Sequence, residues 1–372
     1  MPDRVARPRD RPRLTERIER VIGWLLLRLP ERALIRLAGG EPLAIDGQRL
    51  DAGVNLLRVL RAKRVRHGLT EPTIAIGRAR YRRDALAFIG PRTTVGSVRG
   101  LTVAGAAGPL GARLYRPPVG EDDGSLLVYF HGGGFVIGDL DTHDEPCRVL
   151  CRYGRTSVLS VAYRLAPEHP FPAAVDDALA AWRWARANAA TSGSDPARIS
   201  IGGDSAGANL AAVVSLRAAR TSEAPLAQLL IYPAVDPVTT RRSRELFAAG
   251  LFLTLRDVDA FERAYRGGLA GDAKDPRVAP HFAADLHDLP PALVITAGFD
   301  VLRDEGEAYA AALEAAGNSV RLRRFSSLTH GFIHMTDVSL AARRAMRELA
   351  AEFRAMIDAS SINKREQPVT SR

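Results

Sequence analysis

The feature that most constrains this chain is the pentapeptide Gly203-Asp-Ser-Ala-Gly207. A short apolar run at residues 199–201 precedes it and has the composition of a buried strand. Residues 209–217 follow it and have helix-forming composition. A serine on a sharp strand-to-helix turn has an exposed hydroxyl, and glycines at the bend let neighbouring backbone pass close by. The context makes Ser205 a candidate nucleophile, although the pentapeptide pattern alone is a weak signal.

Beyond about residue 95, short apolar runs alternate with alanine-rich helical stretches. This alternation predicts a largely parallel sheet covered by helices on both faces. We expect strands at 112–116, 126–130, 158–163, 199–201, 229–232, 293–297 and 320–325, and helices at 174–188, 206–220, 303–316 and 340–359. Residues 236–290 carry scattered aromatic residues and no clear strand, so we interpret them as an insertion that covers a pocket.

Three consecutive glycines, Gly132, Gly133 and Gly134, follow the strand at 126–130 and His131. Glycines expose backbone N–H groups, which a site needs to bind a developing oxyanion. A phosphate-binding loop is the alternative, but it would have a lysine after the glycines and this loop has none. We interpret His131 as a structural hydrogen-bonding residue rather than a base, because it precedes the glycines.

A carboxylate and a histidine follow the last two predicted strands. Asp300 is placed to reach a histidine across the top of the sheet, whereas the competing Asp304 suits the first turn of a helix. His330 lies in the loop after the last strand, and His334 is the alternative further along. The order Ser205, Asp300, His330 is the order expected of an α/β-hydrolase and differs from the other serine-triad folds.

With these motifs the chain resembles the bacterial hormone-sensitive-lipase-like esterases, an α/β-hydrolase family. Tyr163–Ala174 and Asp195–Ile199 match further characteristic stretches of that family, and the resemblance covers about residues 95–358. It implies an α/β-hydrolase fold, with a mostly parallel central sheet, helices on both faces and a helical cap. It also implies a carboxylic ester hydrolase of class EC 3.1.1 that needs no cofactor and no metal.

The resemblance also implies roles for individual residues. Ser205 attacks the ester carbonyl, His330 transfers the proton, and Asp300 orients and stabilises the imidazole. The oxyanion hole consists of three backbone N–H groups, those of Gly133, Gly134 and Ala206. Short to medium acyl esters are the expected substrates, and an amidase or acyltransferase with the same triad is the main alternative. A non-catalytic receptor is disfavoured, since receptors that resemble this family lack the histidine.

The net charge of +10 is concentrated at the N-terminus. Residues 1–100 hold 22 Lys and Arg against 10 Asp and Glu, and the remainder is nearly neutral. This argues against nucleic acid as a partner and leaves weak association of the N-terminus with an anionic membrane open. The apolar stretch 22–29 is too short to span a bilayer, and we interpret it as an amphipathic helix rather than an export signal.

We expect a disordered basic tail at 1–13 and an N-terminal helical cap region at 14–94. The catalytic domain is expected at 95–358, with its cap insertion at about 236–290, and a second disordered tail at 359–372. Cys147 and Cys151 are interpreted as buried free thiols, which suits a cytoplasmic protein. The sequence leaves the oligomeric state open.

Overall fold

The computed structural model describes residues 29–64, 67–87, 92–267 and 272–366. Its centre is an eight-stranded sheet with helices packed on both faces, which confirms the predicted fold class. The strands of this sheet are β3 (Ser97–Gly105), β4 (Gly108–Arg116), β5 (Leu126–Phe130), β6 (Ser157–Val161), β7 (Ile199–Asp204), β8 (Gln228–Ile231), β9 (Ala292–Phe299) and β10 (Val320–Thr329). A separate antiparallel pair consists of β1 (Ala44–Ile45) and β2 (Gln48–Arg49).

The strand order across the main sheet is β10-β9-β8-β7-β5-β6-β4-β3. All neighbours from β10 to β6 pair in parallel, and β4 is antiparallel to both β6 and β3. Every residue of β5 to β9 is buried. Strands buried on both faces need continuous apolar runs, and this is why the sequence revealed them.

All seven predicted strands are present, with ends that differ by a few residues. Strand β3 was not predicted, because most of its side chains are exposed and it carries no continuous apolar run. As an edge strand it pairs along its whole length with β4 only, from Ser97 opposite Arg116 to Gly105 opposite Gly108.

Ten α-helices lie within the described residues. They are α1 (Glu31–Ala38), α2 (Ala52–Arg64), α3 (Ile74–Ala87), α4 (Asp144–Gly154), α5 (Ala173–Ala187), α6 (Ala206–Ala218), α7 (Arg242–Leu246), α8 (Leu255–Arg266), α9 (Arg303–Ala315) and α10 (Leu340–Glu366). Helix α4 carries Cys147 and Cys151, which are both buried and free as expected. Helix α10 continues to Glu366, so the predicted disorder from residue 359 was wrong as far as 366; residues 367–372 lie outside the described residues.

The insertion between β8 and β9 contains helices but, in its described residues, no strand, as predicted. Its main element is α8, which has a capping box formed by Thr254 and Asp257 and ends at Gly267 with a φ of 60°. The reciprocal side-chain and backbone hydrogen bonds of such a box satisfy N–H groups that a helix start would leave unpaired. The helix is therefore well defined by its own sequence.

The N-terminal region contacts both the insertion and the loops that follow β5 and β6. Leu69, between α2 and α3, donates its backbone N–H to Asp257 Oδ1 at 2.6 Å. Arg78 of α3 donates to the carbonyl oxygens of Val136 and Ala166, each at 2.7 Å. None of the helices in the described part of the chain is both long and apolar enough to cross a membrane. The predicted tail 1–13 and residues 22–28 of the predicted amphipathic stretch 22–29 lie outside the described residues.

Candidate active site

The turn between β7 and α6 holds Ser205 in a strained conformation. Its φ of 54° and ψ of −119° lie in a region of backbone angles that residues other than glycine rarely adopt. The Ser205 N–H donates to the Ile231 carbonyl on the neighbouring strand at 2.8 Å, which anchors the turn. The serine therefore sits at the carboxyl edge of the sheet, as its sequence context predicts for a nucleophile.

The two glycines that flank this serine are required by close backbone contacts. A Cβ atom on Gly207 would lie 1.9 Å from the Phe130 carbonyl oxygen. A Cβ atom on Gly203 would lie 2.4 Å from the same oxygen and from the Gly207 carbonyl carbon. Since no side chain fits at either position, the spacing of the pentapeptide follows from how tightly α6 crosses β5 and β7.

The structure brings Ser205, His330 and Asp300 together. His330 Nε2 lies 3.1 Å from Ser205 Oγ, and His330 Nδ1 lies 2.8 Å from Asp300 Oδ2. The Asp300 carboxylate accepts this hydrogen bond, so the proton of a neutral His330 is on Nδ1. Its Nε2 lone pair is then directed at the serine hydroxyl, which is the geometry that proton abstraction needs.

Both partners of the serine are held by the ends of adjacent strands. Asp300 directly follows β9, is 1% exposed, and accepts the Leu302 N–H on its other oxygen at 2.9 Å. His330 directly follows β10, and the preceding Thr329 donates its hydroxyl to the Phe299 carbonyl. The Tyr232 ring packs against the His330 imidazole with centroids 4.4 Å apart. These contacts leave the imidazole little freedom to turn away from the serine.

The two competing residues lie elsewhere. Asp304, in the first turn of α9, accepts the Ser243 N–H at 2.7 Å and the Arg303 guanidinium at 2.7 Å. His334 lies in a short 3₁₀ turn with its Nε2 3.1 Å from the Tyr81 hydroxyl. Neither contacts the serine, in line with the preference for Asp300 and His330.

His131 is a structural residue in this arrangement. Its ring stacks on Tyr163 with centroids 4.5 Å apart, and its Nδ1 lies 2.8 Å from the Gly132 carbonyl. Burial, together with the neighbouring His143, lowers the pKa of His131 to about 4. A neutral, buried ring that fixes backbone agrees with the interpretation made from its position.

The glycine loop after β5 lies against the start of α6. Gly133 and Gly134 have φ values of 118° and 61°, and the Gly133 carbonyl accepts the N–H groups of Val136 and Ile137. The Gly132 N–H donates to Asp204 Oδ1 at 2.9 Å, which ties the loop to the end of β7. Sequence reasoning missed this role of Asp204, for which the only signal was its place beside the nucleophile.

Aromatic side chains of α8 cover the glycine loop. A Cβ atom on Gly134 would lie 2.2 Å from Phe261 Cγ, so this ring sits directly on the loop. Tyr265, one turn later, stacks on Phe135 with centroids 3.8 Å apart and ring planes 10° apart. The insertion therefore forms a wall beside the candidate site, and its scattered aromatic residues are the sequence signal for it.

The strand order, the serine turn after β7 and the placement of the glycine loop are those of an α/β hydrolase. The sequence profile of a family described as alpha/beta hydrolase fold matches residues 127–334. The chain therefore belongs to this family, in its hormone-sensitive-lipase-like branch.

Named relatives and solved structures agree with this assignment. The carboxylic ester hydrolase LipN of Mycobacterium tuberculosis is 43% identical over 343 residues, which is 90% of each chain. An ethyl acetate hydrolase of Pseudomonas putida is 40% identical over 235 residues, covering 62% of this chain and 73% of its own. The structure of the ester hydrolase EH1AB1 from the metagenome of Lake Arreo superposes with a TM-score of 0.79 at 40% identity, covering 83% of this chain and 99% of its own.

Proposed function

We propose that Ser205, His330 and Asp300 hydrolyse carboxylic esters through an acyl-enzyme. The chain is a carboxylic ester hydrolase of class EC 3.1.1 by its family and its relatives. The observation that carries the residue assignment is the position of His330, 3.1 Å from Ser205 Oγ and 2.8 Å from Asp300 Oδ2. A base between a nucleophile and a carboxylate is the arrangement by which a serine hydroxyl is activated.

Each residue then has a defined step. Ser205 Oγ attacks the ester carbonyl while His330 Nε2 takes its proton, and Asp300 stabilises the resulting imidazolium. The tetrahedral intermediate collapses, and His330 delivers the proton to the leaving alcohol. Water attacks the acyl-enzyme with the same base, and the carboxylic acid leaves with Ser205 restored.

The negative oxygen of the intermediate is proposed to bind the N–H groups of Gly133, Gly134 and Ala206. Ala206 is the first residue of α6, where N–H groups have no partner inside the helix and the helix dipole favours negative charge. The glycine loop adjoins this helix start, since Gly207 packs on the Phe130 and His131 carbonyls. Donors fixed before the reaction are worth several kcal/mol to such a step.

We propose substrates with short to medium acyl chains. The Phe261 and Tyr265 rings cover the glycine loop and limit the space beside it. A relative named ethyl acetate hydrolase acts on a short ester by its name. A panel of chromogenic esters from acetyl to palmitoyl tests this: kcat/KM should be highest for short chains, and a preference for emulsified long-chain triglyceride would contradict it.

We further propose that residues 14–94 and the insertion 236–290 form one cap over this site. Support comes from the hydrogen bond between Leu69 and Asp257 and from that between Arg61 and the Phe252 carbonyl at 3.2 Å. Both bonds join the N-terminal region to the insertion. If they form one cap, substitutions in residues 14–94 and substitutions in the insertion should each change the acyl-chain preference.

The acyl-enzyme itself is the sharpest test of the mechanism. Rapid mixing with a p-nitrophenyl ester, followed by acid quench and mass spectrometry, should show one acyl group on the peptide that contains Ser205. Absence of the adduct, with ester turnover intact, would contradict the proposal. Adding a competing alcohol or amine to the same reaction distinguishes the alternative, because an acyltransferase would give the new ester or amide as its main product.

We also propose that the protein is cytoplasmic and that its basic N-terminus associates weakly with anionic membranes. Arginines at 4, 7, 9, 11, 13, 17 and 20 precede the apolar stretch 22–29. Basic residues beside an apolar helix face favour an anionic bilayer surface, and salt weakens this attraction. The full chain should co-sediment with anionic vesicles at low salt and less at high salt, whereas a chain lacking residues 1–20 should not. Equal sedimentation of both chains would exclude this role.

A further inference from the structure

A second polar cluster lies next to Ser205 in the chain, at Asp204. It consists of Asp204, His143 and His334, and one carboxylate oxygen and one nitrogen of each ring lie within 4.8 Å of one another. His143 is fully buried and Asp204 is 3% exposed. The His143 Nε2 atom lies 3.3 Å from Asp204 Oδ1. The steps proposed for ester hydrolysis do not use this cluster.

The hydrogen bonds of Thr142 determine which nitrogen of His143 carries a proton. The Thr142 hydroxyl donates to the Asp139 carbonyl at 2.8 Å, so it accepts from His143 Nδ1, which is 2.9 Å away. A neutral His143 then has its lone pair on Nε2. This nitrogen is buried, has no hydrogen-bond partner among the described residues, and points at a carboxylate oxygen.

His334 repeats this pattern from the other side. Its Nε2 lies 3.1 Å from the Tyr81 hydroxyl, and its buried Nδ1 has no hydrogen-bond partner in the described part of the chain. If Nε2–H donates to the Tyr81 oxygen, the free lone pair is on Nδ1. With this tautomer of His334, both rings have an outer N–H held by a hydroxyl oxygen and an inner nitrogen without a donor. Metal-binding histidines are oriented by such outer hydrogen bonds.

We propose that His143, His334 and one carboxylate oxygen of Asp204 bind a divalent transition-metal cation. Two imidazoles and a carboxylate suit iron, zinc, cobalt or nickel, with remaining positions filled by water. Ligand bonds of about 2.1 Å place two ligands roughly 3 to 4 Å apart. The 3.3 Å separation of His143 and Asp204 fits this range. No two of the three ligand atoms lie more than 4.8 Å apart, so closure by about 1 Å is enough.

A bound cation would balance the negative charge of the Asp204 carboxylate and pair with the two histidine lone pairs. A proton on His143 is the alternative source of this positive charge. A bound cation would also fix Asp204, whose Oδ1 accepts the Gly132 N–H at 2.9 Å and the Tyr129 hydroxyl at 2.7 Å. The site is therefore structural: it holds the glycine loop through Asp204 and takes no part in proton transfer. The sequence shows no metal motif here because the three ligands come from distant segments.

Cobalt(II) titration of the chelator-treated full chain tests this inference. We expect saturation at one equivalent, with a visible d–d absorption spectrum and an upward shift of the melting midpoint. His143→Gln and His334→Gln should each weaken binding at least tenfold. His287→Gln is the matched control, because His287 is an exposed histidine paired with Asp285 at 3.0 Å, and it should bind cobalt as the unaltered chain does.

Tyr81→Phe provides a second test in case the histidine variants do not fold. It removes the acceptor of the His334 N–H and leaves the ring in place, so cobalt affinity should fall roughly tenfold. No saturable binding to the folded, unaltered chain would overturn the inference, and this is the result expected if the cluster takes only a proton. Unchanged affinity in Tyr81→Phe and in both folded histidine variants would overturn it as well.

Discussion

At the carboxyl edge of the sheet, Ser205, Asp300 and His330 each directly follow a strand, whereas the surrounding helices reach the site through side chains. The three residues follow β7, β9 and β10, which are hydrogen-bonded into one sheet with β8 between β7 and β9. The N-terminal helices instead hold the glycine-loop region through arginines such as Arg78.

The difference has a physical consequence. Strand ends are positioned by ladders of buried backbone hydrogen bonds, so their relative placement tolerates little change. Contacts made by long side chains on the surface depend on single groups and contribute about 1 to 3 kcal/mol each when a charge is involved. We therefore expect substitutions at the sheet edge to abolish chemistry and substitutions in the surrounding helices to adjust stability and specificity.

Removing the nucleophile should have the largest effect. Ser205→Ala is expected to lower kcat by about 10⁶-fold, because in the proposed mechanism this hydroxyl forms the acyl-enzyme. The fold should survive, since alanine only removes an oxygen. Ester turnover and circular dichroism of the variant check this. Activity above a few per cent, with an unchanged spectrum, would show that another group attacks the ester.

Asp300 and Asp304 offer a matched pair at the same strand end. Asp300→Asn should lower kcat by about 10⁴-fold, because an amide cannot hold the correct His330 tautomer. Asp304→Asn should change kcat less than tenfold, since its contacts are to Ser243 and Arg303. Steady-state kinetics of both variants decide between them. A larger loss of kcat in Asp304→Asn than in Asp300→Asn would mean that Asp304, and not Asp300, is the carboxylate of the triad.

Gly207 and Gly100 allow the packing at the serine turn to be compared with the packing of an edge strand. Gly207→Ala should destabilise the fold by about 3 kcal/mol or more, because the added Cβ would lie 1.9 Å from the Phe130 oxygen. Gly100→Ala, in the edge strand β3, meets nothing within 4 Å and should cost less than about 0.5 kcal/mol. Urea denaturation measures both, and equal midpoints would contradict the tight crossing of α6.

Glu305, in the helix that follows Asp300, contacts the start of the insertion. Its Oε1 accepts the Val235 N–H at 2.8 Å, and its Oε2 lies 3.0 Å from Arg244 Nη2. Burial raises the pKa of Glu305 to about 7, against the opposing attraction of Arg244.

The raised pKa of Glu305 sets the sign of a pH effect on stability. The folded state binds the proton more tightly than the unfolded state, whose pKa is 4.5, so this stabilisation is complete below pH 4.5 and is lost as the pH rises to about 7. The unfolding free energy, relative to Glu305→Gln, should fall by up to about 3 kcal/mol over that range. A difference that stays constant or rises with pH would contradict the burial effect.

Arg78 and Arg83 provide the smallest expected effect, within the single helix α3. Arg78→Ala removes bonds to the Val136 and Ala166 carbonyls and to Glu168, and should cost about 1 to 3 kcal/mol of stability. Arg83→Ala loses only an exposed contact with the adjacent Asp84 and should stay within about 0.5 kcal/mol. Chemical denaturation compares them, and equal losses would mean that α3 is not held by Arg78.

Much of the sheet and of the candidate site could be predicted from the sequence. The strands β5 to β9 are buried on both faces, so their residues had to be apolar and stood out as runs. The two glycines around Ser205 are required because an added Cβ atom at either would lie less than 2.5 Å from backbone atoms. The pentapeptide therefore indicated the turn from the sequence alone. Asp300 and His330 were identifiable because chemistry at a parallel sheet gathers at the strand ends.

Other features were decided only by the tertiary structure. Strand β3 is exposed and pairs at an edge, so no apolar pattern marked it. The contacts of the N-terminal helices depend on which carbonyl an arginine reaches, and spacing along the chain does not encode this. The cluster of His143, Asp204 and His334 forms because three segments that are distant in the sequence meet at Asp204. Local sequence fixes turns and strands through sterics and burial, but side chains far apart in the chain meet only after the sheet and its helices have packed.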